Sequence, residues 1–82
     1  MSSQQVPLSL RNILADVLEI PPEQVTPELS AGMVGSWDSF RHLQAILAIE
    51  GEYGVQVDPQ RMPELTSVSL LQAELEKKRA AL

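Results

Sequence analysis

The sequence contains no cysteine. Disulfides and thiolate metal sites are therefore excluded, and a reducing compartment is the simplest setting. Positive charge is scarce: six Lys and Arg stand against eleven Asp and Glu, a formal net charge of −5. Nucleic acid is recognised through a basic patch that neutralises phosphates, and an anionic membrane surface asks for the same, so both partners are argued against. Long apolar runs are missing, and none approaches the roughly 20 residues that span a bilayer. The opening MSSQQ lacks the charged start and apolar stretch of a secretory signal. A soluble, cytoplasmic protein is expected. Histidine occurs once, at position 42, and the carboxylates are scattered. No metal-ligand spacing results, and no metal is expected.

What is present is one small domain of 82 residues. A chain of that length buries only about 60% of its unfolded surface and holds about 5 kcal/mol of stability. So small a core leaves little room for an enclosed active site.

Residues 1–5 are polar and expected to be disordered. From Pro7 to Ile20, Leu10, Ile13, Leu14, Val17 and Leu18 recur at spacings of three and four, the stripe of an amphipathic helix. Pro21 and Pro22 end it, because they cannot continue the backbone ladder. Residues 21–37 hold three prolines and two glycines and read as a long loop, with a short turn at Pro22 to Val25. Loops longer than about 12 residues in a compact domain are usually functional or mobile. A second helix follows over residues 39–53. Asp38 is its N-cap and Gly54 its stop. Leu43, Ile46, Leu47 and Tyr53 form its expected core stripe, widened by Phe40, Ala45, Ala48 and Ile49. PQRMPEL, residues 59–65, makes one short turn or a short third helix. Thr66 or Ser67 caps a last helix over residues 67–80, with Val68, Leu71 and Leu75 inward and Lys77, Lys78 and Arg79 where the helix dipole favours positive charge. There is no internal repeat and no low-complexity tract.

The loop delivers GSWDSF, residues 35–40, with Ser39 at the first position of a helix directly behind an acidic cap. His42 lies three residues on and shares a helix face with that serine. A serine–histidine nucleophile needs a group to orient the base and donors for an oxyanion, and the sequence offers neither, so no catalytic residue is assigned. His42 reads more simply as a solvent-exposed helix residue. A second possibility is covalent attachment. The hydroxyl of a serine at a helix N-terminus faces solvent, and the free amides and dipole there favour an anionic group on it. Against this, Asp-Ser before an apolar run is also an ordinary helix start.

The wider stretch WDSFRHLQAILAIEGEYGVQV, from Trp37 to Val57, resembles the signature of acyl carrier proteins. Its Asp38-Ser39-Phe40 triplet precedes an amphipathic helix and then the acidic-aromatic tail EGEYG. The resemblance covers nearly the whole chain. It implies a right-handed four-helix bundle with a short third helix and a long first loop. It implies that Ser39 carries 4′-phosphopantetheine, installed from coenzyme A by a phosphopantetheinyl transferase, and that the arm's thiol holds acyl or aminoacyl units as thioesters. The protein then has no catalytic activity of its own. Its partners are the transferase, an acyl- or aminoacyl-loading enzyme, and a downstream synthase or transferase. Asp38 is implied in transferase recognition as well as capping. A monomer is expected, and docking weak enough to release calls for a small surface.

That surface belongs beside the arm, with Trp37, Phe40, Arg41, Gln44, Ala48 and Gly51 as candidate contacts. Trp37 and Phe40 have a competing role in covering the end of the bundle. One departure from the family pattern stands out. Many fatty acid carriers are strongly acidic along this helix, but here the face shows Arg41, Gln44 and Gly51 with His42 beside them. The acid that remains, Glu50 and Glu52, comes late. A dedicated pathway, polyketide, nonribosomal peptide or another specialised assembly, is therefore expected. The readings that stay open are a peptidyl carrier of a nonribosomal system and an unmodified helical interaction module.

Overall fold

Three α-helices carry the chain in the computed structural model, which describes residues 6–80: α1, Leu8–Leu18; α2, Ser39–Tyr53; and α3, Val68–Ala80. The expected disorder of residues 1–5 lies outside the described residues. The architecture is an all-α bundle. Among the described residues no strand forms, and the only bridge is an isolated antiparallel pair, Ser30 with Ser67. None of these helices is long and apolar enough to cross a membrane.

Each helix ends where its sequence dictates. The chain leaves α1 through Glu19 in the left-handed region, with φ 57°, before Pro21 and Pro22. Asp38 caps α2 by accepting from the Arg41 amide at 2.9 Å, and Gly54 closes it at φ 67°, a conformation that glycine adopts at no steric cost. Ser67 serves α3, its Oγ accepting from the Leu70 amide at 3.2 Å. Lys77, Lys78 and Arg79 occupy the last turn of α3.

The connections are tied rather than loose. The long first one contains two 3-10 turns, Pro22–Gln24 and Ala31–Met33, the second of which carries no sequence signal. It is stitched to the start of α3 by Ala31 donating to the Thr66 carbonyl (2.8 Å) and Val68 donating to the Leu29 carbonyl (2.9 Å). The short third helix of the bundle is a single 3-10 turn, Met62–Glu64. Two prolines within five residues, Pro59 and Pro63, keep the segment from extending into an α-helix. The Val57 amide donates to the Glu50 carboxylate at 2.8 Å, which folds the extended segment back onto α2.

The core draws on all three α-helices. Leu10, Leu14 and Leu18 of α1 meet Ala45, Ile46 and Ile49 of α2 and Val68, Leu71 and Leu75 of α3. Val25, Leu29, Val55, Val57 and Leu65 fill in from the connections. Ile13, Val17 and Tyr53 pack at its edge. The expected core stripe of α2 needs correction. Leu43 is 45% exposed and Leu47 54% exposed, while the smaller Ala45 and the β-branched Ile49 point inward. α2 has apolar residues on more than one face, and its packing against α1 selects the 45–46–49 face.

Candidate functional site

Ser39 occupies the first position of α2 and is exposed. The side chains around it hold the helix start in place from three sides. Ser36 Oγ donates to the Leu18 carbonyl at 2.7 Å, tying the loop to the end of α1. Arg41 Nη1 donates to the Val17 carbonyl at 2.6 Å and lies 3.4 Å from a Glu19 carboxylate oxygen, tying α2 to the same point. Trp37 Nε1 donates to His42 Nδ1 at 3.0 Å, and His42 Nε2 donates to the Met62 carbonyl at 2.6 Å. This chain of bonds joins the loop, the second turn's edge of α2 and the 3-10 turn that precedes α3.

A cleft opens beside the serine. One cavity of about 390 Å³ is lined by Ala31, Trp37, Asp38, Ser39, His42, Pro63 and Thr66. Another of about 260 Å³ continues past Ser39 and His42 to Leu43, Pro59, Met62 and Pro63. Only Asp38 brings a charge to these walls. The amides of Ser39 and Phe40 have no acceptor within the helix, because the first turn lacks a preceding one. The site therefore offers an exposed hydroxyl, donor amides and a partly apolar groove whose one charged side chain is Asp38. An anionic ester on the hydroxyl with a long uncharged arm fits that donor set.

The residues singled out in the sequence divide between surface and interior. Phe40, 69% exposed, stands on the open face of α2 with Gln44 and Gly51. Ala48 and Arg41 are half-buried, and Arg41 is drawn back toward α1. Trp37 is a correction. At 5% exposure it belongs to the core and to the wall of the cleft, not to the open face of α2, because Ser36 and His42 pull the loop inward on either side of it. His42 is a second correction, half-buried and bonded at both ring nitrogens instead of solvent-exposed. With both nitrogens committed elsewhere, it does not activate Ser39 as a base. Sequence reasoning missed Leu43 and Leu47 as surface residues. They join Phe40 at spacings of three and four, a signal that marks one helix face but not which face is open.

Residues 9–75 match the family described as "Phosphopantetheine attachment site". The chain belongs to the acyl carrier protein family. An acyl carrier protein of Thermosynechococcus vestitus is 31% identical over 68 residues, spanning 83% of this chain and 84% of that protein. The solution structure of a holo acyl carrier protein from Geobacter metallireducens superposes with a TM-score of 0.79 at 27% identity, over 89% of this chain and 84% of that one. The prosthetic group of this carrier is 4′-phosphopantetheine.

Proposed function

We propose that Ser39 Oγ is the attachment point of 4′-phosphopantetheine and that the chain is a carrier dedicated to a specialised biosynthetic pathway. The observation that carries the assignment is the exposed Ser39 hydroxyl at the first position of α2, opening on a partly apolar cleft. Attachment forms a bond from Oγ to phosphorus and breaks the pyrophosphate bond of coenzyme A, the hydroxyl proton passing to a base of the transferase and adenosine 3′,5′-bisphosphate leaving. Once attached, the group supplies a terminal thiol that holds an acyl or aminoacyl unit as a thioester.

The chain's own residues bind, orient and present. The first-turn amides and the helix dipole favour the phosphodiester. Asp38 fixes the start of α2 so that the hydroxyl keeps its direction. Phe40, Leu43, Gln44, Leu47 and Gly51 form the open face beside the attachment point, where a loading enzyme or downstream synthase docks. A tethered thioester has a high effective concentration at any enzyme that docks there, so the docking itself can be weak.

The specialised role rests on the character of that face. Its exposed residues nearest Ser39 are apolar or neutral, and of the two late acids Glu50 spends its carboxylate on the Val57 amide. Partners that read acidic carriers through basic patches find little complementary charge here. The test begins with intact mass. After incubation with coenzyme A and a broad-specificity transferase, the protein gains one phosphopantetheine and Ser39→Ala gains none. The holo product is then offered to fatty acid synthase enzymes beside a housekeeping carrier. Unchanged mass defeats the attachment assignment and leaves the interaction-module reading; turnover equal to that of the housekeeping carrier defeats the specialised role.

A further inference from the structure

Pro21 and Pro22 leave a deficit at the end of α1 that the attachment segment fills. In a continuing α-helix the carbonyl of residue i accepts the amide of residue i+4. For Val17 that amide belongs to position 21, and for Leu18 to position 22. Both positions are proline, which has no N–H. The Ile20 amide serves neither carbonyl. The left-handed turn at Glu19 aims it at the Ala15 carbonyl, 3.1 Å away. The two carbonyls stand at the negative end of the α1 dipole, and Leu18 is wholly buried. A buried carbonyl left without a donor is costly.

The missing donors come from either side of Ser39. Ser36, three residues before it, gives its Oγ hydrogen to the Leu18 carbonyl at 2.7 Å. Arg41, two residues after it, gives an Nη1 hydrogen to the Val17 carbonyl at 2.6 Å. A cation suits the carboxyl end of a helix, and a charge-assisted bond is stronger than a neutral one. The Glu19 carboxylate adds an ion pair to Arg41 at 3.4 Å, but that acid is 71% exposed and the pair counts for little. Residue 41 is thereby held at both ends, its amide on the Asp38 carboxylate and its side chain on α1. Ser39 lies between the two anchors and stays exposed.

We propose that Ser36 and Arg41 are positioning residues for the modification of Ser39: they seat the first turn of α2 on the two carbonyls that Pro21 and Pro22 leave open, and so hold the Ser39 hydroxyl in one direction. The inference rests on the attachment assignment for its functional meaning. It gives the Arg41 charge a use inside the molecule, at the end of α1, in place of a contact with a partner. It also gives the paired prolines a second role. They stop α1, and by withholding two amides they create the acceptors on which the attachment segment docks.

Two measurements on the parent, Arg41→Ala and Ser36→Ala test this. Initial rates of modification are read by intact mass at saturating coenzyme A over a range of carrier concentrations. Arg41→Ala is expected to lower kcat about tenfold and Ser36→Ala about threefold, the scale of losing one charge-assisted or one neutral bond that aligns a reacting group. KM stays within about twofold of the parent in both, as for an interaction that acts on the reacting geometry. A direct contact between Arg41 and the transferase would instead raise KM at unchanged kcat in Arg41→Ala and leave Ser36→Ala like the parent. That result overturns the proposal. NMR of the apo proteins reads the clamp without any transferase. The carbonyl carbon signal of Val17 shifts in Arg41→Ala and that of Leu18 in Ser36→Ala. The amide heteronuclear NOE of Ser39 and Phe40 falls in both variants, while that of Ile46 in the middle of α2 holds and shows the helix intact. Carbonyl signals that stay in place, or a Ser39 as rigid in both variants as in the parent, also overturn it. If the parent never gains mass but the apo signals change as expected, the attachment assignment fails and the clamp on Ser39 stands.

Discussion

Asp38 carries two roles that a pair of substitutions separates. Its carboxylate accepts from the Arg41 amide at 2.9 Å, which satisfies one of the free donors of the first turn. Asp38→Ala is expected to lower the unfolding free energy by about 1 kcal/mol, read from urea denaturation. Asparagine caps as well as aspartate, so Asp38→Asn should stay within about 0.5 kcal/mol of the parent. The charge is then gone while the helix start is intact. Transferase recognition of that charge would show as slower modification of Asp38→Asn at unchanged stability; an unchanged rate would assign Asp38 to capping alone. The capping role was legible from sequence, because a cap is a local device with its partner three residues away. The role of His42 was not. Its partners, Trp37 and Met62, lie five residues before it and twenty after it, and only the closed fold brings them together.

At the scale of the element, α2 is where sequence and structure part. Its caps, Asp38 and Gly54, are set by residue type, and they stand at its two ends. Its orientation is set by neither. The helix carries Phe40, Leu43 and Leu47 on one face and Ala45, Ile46 and Ile49 on another, so periodicity alone offers two stripes. Leucine outranks alanine as a core candidate, yet the alanine is wholly buried and the leucines are not. Residue size favours the leucines, but packing against α1 decides which face turns inward. α1 and α3 present no such ambiguity, since Leu10, Leu14 and Leu18 or Val68, Leu71 and Leu75 are the dominant stripe of each. The difference between the two faces of α2 is measurable. Leu47→Gln, which keeps helix propensity, should change stability by less than about 0.5 kcal/mol. Ile46→Ala should cost about 3 kcal/mol through lost burial and the cavity it leaves. A comparable cost at both positions in urea denaturation would mean that Leu47 is not on an open face.

For the whole molecule, the loop of residues 21–37 decides whether the bundle behaves as one unit. Its length reads as mobile, but its anchors contradict that reading. Leu29 and Ala31 bond to the entrance of α3, Ser36 to the end of α1, and Trp37 to α2. Val25, Leu29 and Trp37 place apolar side chains in the same core as the helices. Arg61, joined to the buried Glu74, clamps the later connection onto α3 in the same way. A loop that shares the core cannot leave without exposing it, so helix melting and loop release should be one event. Trp37 fluorescence reports the loop and far-UV circular dichroism reports the helices. Their thermal transitions are expected to share a midpoint in the apo protein. Fluorescence that changes well below the helical transition would show the loop detaching from an intact bundle. The serine would then stand beside a gate rather than a fixed wall.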